Sequence, residues 1–197
     1  MRNWLPAAAA ILMLTNTGAL AQANLRPDPT PRVPQQAGQG LALEDRQFIS
    51  RALNLSEAEI EAGRLAAEKA SATGIKEFAQ RLVTEHEKLK GEVQQLAQKN
   101  GVTVDPHASR SWWQGELQRI GGLSGQDFDR EYMKWQLQTH LALVNLYQTQ
   151  ASGTPQMELS KFAITTLEDI QKIFNQAKQL GAQQGVSIDT VRQPPQY

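Results

Sequence analysis

The sequence contains no cysteine among its 197 residues. This absence excludes disulfide bonds, thiolate metal sites, cysteine nucleophiles and a lipid-modified cysteine at a processed N-terminus. If the chain is exported, its fold must therefore be held together by a packed core alone.

The sequence also lacks an excess of either charge. Its 20 basic residues balance its 20 acidic residues, and no long run of one sign occurs. Binding to nucleic acid or to an anionic membrane surface normally requires a basic patch or stripe. We therefore expect no nucleic-acid partner.

Long hydrophobic runs are missing too. A helix needs about 20 apolar residues to cross a bilayer, and the apolar run at residues 5–14 is shorter. Arg2 precedes this run, and the small residues Ala19 and Ala21 follow it, which is typical of a secretory signal peptide. We expect residues 1–21 to be cleaved and the mature protein to be periplasmic or secreted, and a retained membrane anchor is the alternative.

Residues 22–43 are rich in proline, with Pro27, Pro29, Pro31 and Pro34 within a short stretch. Proline removes backbone donors and biases the residue before it away from helix. The composition predicts an extended linker. It is either a simple spacer or an arm that docks on another protein.

Four later segments have the hydrophobic period of amphipathic helices, and no strand-like alternation separates them. They cover residues 44–71, 75–99, 125–151 and 155–180. Helices of similar length in series favour an all-α fold, an antiparallel four-helix bundle spanning 44–182. The pattern is lost afterwards, so we expect a flexible C-terminal tail at 183–197.

Two positions in the first predicted helix break a regular pattern. Ser56 and Glu59 form a capping-box spacing, which predicts that the helix restarts near Asn54 and Leu55. Gly63 costs about 1 kcal/mol relative to alanine inside a helix. Its presence indicates that a neighbouring helix approaches closely there.

The connection between the second and third predicted helices is long for a bundle. Residues 109–120 within it predict a short extra helix across one end. This segment contains Trp112 and Trp113. The two indoles either plug the end of the bundle or form an exposed recognition patch.

Polar residues interrupt the apolar stripes at the middle of the bundle. His86 and His140 each lie on an apolar stripe, and a buried imidazole needs a carboxylate, water or metal partner. Glu59 is the best carboxylate candidate because it shares a face with small residues, whereas Glu85 points about 100° away from His86. Glu59, His86 and His140 therefore form a candidate site for a transition metal, and the alternative is hydrogen-bonded core histidines without metal.

Several signatures of catalysis are absent. Di-metal bundles carry glutamate three residues before histidine on two helices, but Val83 and Leu137 stand at those positions. No serine-centred triad, glycine-rich phosphate loop or metalloprotease helix is found. The sequence therefore favours a non-enzymatic protein.

Three stretches resemble a known family. They are FISRALNLSEAEIEAGRLAAEKASATGIKEFAQRLVTEHEKLKGEVQQLA, FDREYMKWQLQTHLALVNLYQTQA and MELSKFAITTLEDIQKIFNQA. Together they are similar to the bacterial exported family of domain of unknown function 4142, over about residues 44–181. The resemblance implies a ferritin-like bundle in the cell envelope and no established activity.

The same resemblance implies which residues correspond to the family's polar positions. They are Glu59, the pair Glu85 and His86, and His140. The last helix departs from the family pattern. It has Leu167 and Glu168 where the family usually has a leucine-proline pair, and Ile173 where the family has a histidine, so one inward ligand is missing.

Three hypotheses of function follow. The first is a non-enzymatic envelope stress or interaction module, with an envelope protein or a second copy of the chain as partner. The alternative is a metal-binding or oxidoreductase bundle that uses Glu59, His86 and His140. The third is a bundle that holds an apolar ligand, with Trp112, Trp113 and Trp135 lining its opening.

Overall fold

The structure is a computed structural model that describes residues 40–104 and 110–191. The predicted signal peptide and most of the predicted linker lie outside these residues. The described residues form five α-helices and one 3-10 helix, with no strand. The helices are α1 (Leu43–Lys69), α2 (Thr73–Lys99), α3 (Arg110–Gly121), α4 (Gly125–Gly153), α5 (Met157–Gln183) and the 3-10 helix Ile188–Thr190.

Four long helices make the bundle. Short turns join α1 to α2 and α4 to α5, and the members of each pair pack along each other. α1 also packs against α4, and α2 packs against α5, so each of the four long helices contacts two others. The predicted antiparallel, ferritin-like four-helix bundle is confirmed. The predicted short extra helix is confirmed as well, because α3 lies in the connection between α2 and α4 and contacts α1 and α4.

The outer faces of the helices carry charge. Arg64 on α1, for example, pairs with Glu61 at 3.0 Å and with Glu87 on α2 at 2.9 Å. Such exposed pairs contribute little to stability but keep the surface polar. Among residues 40–104 and 110–191, no helix has an apolar stretch long enough to cross a membrane.

The hydrophobic core is divided into two clusters along the bundle axis. On α2, Leu82 belongs to the first cluster and Leu89 to the second. On α4, Leu137 belongs to the first cluster and Leu143 to the second. The residues between these leucines form a layer across the bundle, and the candidate polar residues lie in that layer.

The expected irregularity in α1 does not occur. The helix is continuous from Leu43 to Lys69. The Ser56 hydroxyl donates to the carbonyl oxygen of Ala52 at 2.8 Å, so it bonds backward within the helix rather than capping a new one. The prediction of a restart near Asn54 and Leu55 is therefore wrong.

The prediction for Gly63 is confirmed. A Cβ atom at this position would lie 2.8 Å from Val83 Cγ2 and 3.0 Å from the carbonyl oxygen of Ala79, both on α2. These distances are shorter than van der Waals contact. The absence of a side chain lets α1 and α2 pack closely.

A buried carboxylate organises the turn between α1 and α2. Asp129 on α4 is 1% exposed, and one of its oxygens accepts from the backbone N–H of Ser71 at 2.9 Å. Its other oxygen accepts from the Ser71 hydroxyl at 2.5 Å and from the backbone N–H of Ala72 at 2.9 Å. The turn is thus attached to the opposite hairpin.

The structure describes the side chain of only one of the two indoles in the connection. Trp113 is 5% exposed and packs in the first core cluster with Leu117 and Ile120. The packing interpretation therefore holds for Trp113. The side chain of Trp112 lies outside the described residues.

The C-terminal segment differs from expectation. The last long helix begins at Met157 rather than at Pro155, and it ends at Gln183. Beyond it, Val186 is 2% exposed and packs against the first core cluster. The packed region thus continues past the boundary at 182, and the end of the predicted tail, residues 192–197, lies outside the described residues.

Candidate metal centre

The structure brings together the three residues singled out in the sequence. Glu59 on α1, His86 on α2 and His140 on α4 are each at most 1% exposed. Each offers one ligand atom, and these atoms lie within 4.8 Å of one another. Three residues that are distant in sequence, each on a different helix, thus converge on one buried point between the two core clusters.

A hydrogen bond of His140 defines which of its ring nitrogens carries the hydrogen. Nδ1 of His140 lies 3.0 Å from the backbone carbonyl oxygen of Gln136. A carbonyl oxygen only accepts, so Nδ1 carries the hydrogen and Nε2 has a free lone pair. Nε2 of His140 has no hydrogen-bond partner, and neither does either ring nitrogen of His86.

The carboxylate is held by an amide that the sequence reading missed. Nε2 of Gln136 donates to Oε2 of Glu59 at 2.8 Å, and Gln136 is fully buried. The other carboxylate oxygen, Oε1 of Glu59, and the amide oxygen of Gln136 have no partner. Gln136 therefore contacts two members of the centre, His140 through its backbone and Glu59 through its side chain.

A sequence signal for Gln136 did exist. It lies four residues before His140, so the two share one face of α4. A second polar residue one turn from a buried histidine indicates a polar layer rather than an isolated core histidine. The sequence analysis considered the histidines that interrupt the apolar stripes and did not include Gln136.

Burial shifts the pKa of each group in the direction that favours the neutral form of that group. It raises the pKa of Glu59 to about 7, although the polar side chains of Thr139, Gln136 and Trp135 act in the opposite direction. Burial lowers the pKa of His86 to about 3, with His140 as a second cause. It lowers the pKa of His140 to about 4, against the effect of its bond to Gln136. Both imidazoles are therefore neutral at pH 7, as metal ligation requires.

The donor set fits a divalent transition metal. Two imidazoles and one carboxylate suit zinc, iron, manganese or copper. Metal–ligand bonds are about 2.0 to 2.2 Å long, so atoms within 4.8 Å of one another need to move inward only slightly. A bound ion would supply Lewis acidity at this point and partners for buried atoms that otherwise have none.

Other residues named from the sequence do not join the centre. Glu85 is exposed, as expected from its angle to His86. α5 buries only apolar or small side chains, namely Leu159, Ala163, Ile170, Ala177 and Gly181. The centre therefore draws its candidate ligands from three of the four bundle helices.

The fold and this buried layer define the class of protein: a ferritin-like helical bundle with a polar centre. The chain belongs to the family described as domain of unknown function DUF4142, which matches residues 30–180. The resemblance noted in the sequence is thereby confirmed.

A solved structure supports the fold. The chain is similar to a DUF305 protein from Streptomyces coelicolor that is described as secreted, with a TM-score of 0.62 and 12% sequence identity. The similarity covers 73% of this chain and 95% of that one. At this identity it bears on the fold alone. No curated protein matches the chain.

Proposed function

We propose that this chain is an exported metal-binding bundle that holds one transition-metal ion with Glu59, His86 and His140. The observation that carries the proposal is a set of buried polar atoms without partners in one place. The set consists of Oε1 of Glu59, both ring nitrogens of His86 and Nε2 of His140. More than about 90% of buried polar groups in proteins are hydrogen-bonded, so this concentration calls for a partner.

The energetics favour a metal over the packing alternative. A buried polar atom without a partner costs about 1 to 3 kcal/mol. If His86 served only to fill the core, its ring nitrogens would hydrogen-bond within it, yet neither of them has a partner. An ion at the centre would satisfy one atom from each of the three side chains.

The proposed role is non-enzymatic. Glu59, His86 and His140 are at most 1% exposed, so a substrate of ordinary size cannot reach them. A closed centre suits metal retention or stabilisation of the bundle better than turnover. The apolar-ligand hypothesis has less support, because Trp113 and Trp135 both pack within the first core cluster.

Metal analysis tests the proposal. Full-length protein, purified without a histidine tag, is compared with the His86→Ala/His140→Ala double variant for bound zinc, iron, manganese and copper. We expect about one equivalent in the parent and a large loss in the variant, in line with three-ligand sites. His107→Ala, which changes the remaining histidine, is the matched control. Equal, negligible metal in all three proteins would rule the proposal out.

We further propose that the mature protein is periplasmic or secreted and acts as an envelope stress or interaction module. The support is the leader-like beginning of the sequence and the fold shared with a protein described as secreted. Fractionation and N-terminal sequencing should find a mature chain that begins near Gln22. If deletion under envelope stress has no phenotype and crosslinking captures no partner, the interaction role is wrong.

A further inference from the structure

The fourth helix of the bundle faces the candidate centre without offering it a ligand. Glu59, His86 and His140 come from α1, α2 and α4, and no polar side chain of α5 is buried. We propose that the position on the α5 side is taken by one small exogenous ligand, a water or a small anion. This inference rests on the proposed function and deepens it.

The packing of the helices locates this open position. α1 packs against α2 and α4, and α5 packs against α4 and α2, so α5 lies diagonally opposite the helix of Glu59. Ile170 belongs to the second core cluster, and Ile173 packs against the first. The polar layer therefore meets α5 between two isoleucines.

Coordination numbers leave room for such a ligand. Zinc and related ions take at least four ligands, and sites with three protein ligands keep one position for an exogenous group. The described residues near the centre provide three ionisable side chains. No fourth ionisable side chain joins them among these residues, which leaves room for a ligand from outside the chain.

A second observation points to the same ligand. The amide oxygen of Gln136 is buried and has no hydrogen-bond partner, while the amide nitrogen on the same carbon is held by Glu59 at 2.8 Å. The nitrogen's bond orients the amide, so its oxygen is available as an acceptor inside the polar layer. Buried waters characteristically satisfy such groups, so a small ligand in the polar layer would find an acceptor in this oxygen.

Burial limits the size of the ligand. His86 is 1% exposed, and Glu59 and His140 are fully buried. The two core clusters close the layer from both ends of the bundle. The site therefore takes a water molecule or an anion of a few atoms and excludes larger metabolites.

Azide binding to the cobalt-loaded protein tests the inference. Cobalt(II) replaces zinc readily, and its visible absorption responds to a change of ligand. Full-length protein loaded with cobalt(II) and freed of excess metal should show a saturable change of its visible spectrum on azide addition, with one azide per cobalt. The His86→Ala/His140→Ala double variant, treated identically, should show no change.

Two failures are distinguishable. If the parent protein retains no more cobalt than the double variant, the proposed metal centre itself is wrong. If the parent retains about one equivalent, as a three-ligand site predicts, but its spectrum does not respond to azide, the open position is wrong while the metal centre stands.

Variants on α5 test where the position lies. Ile170→His and Ile173→His each add an imidazole next to the polar layer, and we expect at least one of them to retain cobalt and lose the azide response. Ile164→His on the exposed face of the same helix is the control, because Ile164 is 50% exposed, and it should respond like the parent. A full azide response in both folded, cobalt-loaded variants would overturn the assignment to the α5 side.

Discussion

The imidazole rings of His86 and His140 lie edge to face, with their centroids 5.8 Å apart and their planes at 80°. Both rings are buried, and burial lowers the pKa of both. Two neutral imidazoles from different helices therefore meet inside the core, where the alternative of a charged pair would be strongly repulsive. This pair, with Glu59, forms a buried polar cluster in the bundle.

The first prediction concerns stabilisation by metal. A ligand that binds only the folded state raises the free energy of unfolding by about 2.7 kcal/mol when present at 100 times its Kd. We expect zinc(II) or cobalt(II) to raise the Tm of the metal-free protein, with the increase growing with metal concentration. Differential scanning calorimetry across a metal titration measures this effect.

Two variants control that measurement. Glu59→Gln removes the anionic ligand but keeps an acceptor for Gln136, so it should fold and lose most of the metal-dependent increase in Tm. His107→Ala should keep the full increase. If the metal-dependent increase in Tm is unchanged in Glu59→Gln, the ion binds elsewhere.

The second prediction concerns pH and the metal-free protein. The pKa of the histidines falls from 6.5 to about 3 for His86 and to about 4 for His140. Unfolding restores their affinity for protons, so their contribution to stability is present above pH 6.5 and is lost as the pH falls. The pKa of Glu59 rises from 4.5 to about 7, so its contribution is present at pH 4.5 and is lost as the pH rises toward 7.

The two effects oppose each other, and the histidines prevail. Between pH 6.5 and 4.5 unfolding takes up protons at two histidines and releases a proton at one carboxyl, so the free energy of unfolding should fall as the pH falls. Urea denaturation at several pH values measures this slope. In the His86→Gln/His140→Gln double variant the contribution of Glu59 alone remains, so the free energy of unfolding should instead rise as the pH falls from 6.5 to 4.5. An identical slope in both proteins would contradict the assigned pKa directions.

The third prediction concerns the close approach of α1 and α2. Gly63→Ala should destabilise the bundle by about 1 to 3 kcal/mol, because the new methyl group would overlap Val83 and the backbone of Ala79 and outweigh alanine's better helix propensity. Gly91→Ala is the matched control within α2, where a Cβ meets nothing within 4 Å. The control should be neutral or more stable than the parent by up to about 1 kcal/mol. If chemical denaturation shows that Gly63→Ala is at least as stable as the parent, the close packing of α1 and α2 at this position is wrong.

The fourth prediction concerns the buried carboxylate at the turn. Asp129→Ala removes the acceptor for Ser71 and Ala72 and leaves donors without partners, so we expect a loss of about 2 to 4 kcal/mol. Asp127→Ala should change stability by less than about 0.5 kcal/mol, because the Asp127 side chain is 78% exposed and lies 3.7 Å from Arg130. Equal effects of the two substitutions in thermal unfolding would show that the turn does not depend on Asp129.

The fold was largely predictable from the sequence. The apolar period of the four segments predicted the helices, and Gly63 predicted a close helix approach, because both depend on local spacing along a single helix. The capping-box spacing of Ser56 and Glu59 wrongly predicted a helix restart. The residue types that cap the start of a helix also occur within a continuous helix when burial favours it. The sequence prediction assigned Val186 to the flexible tail, because a single apolar residue after a helix shows no hydrophobic periodicity.

The site was predictable in part. His86, His140 and Glu59 stood out because polar residues on apolar stripes are costly. Gln136 did not, because its role depends on an amide hydrogen bond to a residue 77 positions away. Asp129 was missed for the same reason, since its partners Ser71 and Ala72 lie 58 and 57 positions away.

The sequence by itself determined that this protein is a helical bundle, because hydrophobic period and helix-breaking residues act locally. The family was indicated separately, by the resemblance of three stretches of the sequence, and the match over residues 30–180 confirms it. Only the tertiary structure decided that the carboxylate and the two imidazoles meet. Which faces of α1, α2 and α4 turn toward each other depends on how all side chains pack at once. The same packing placed Gln136 where its amide donates to the carboxylate of Glu59.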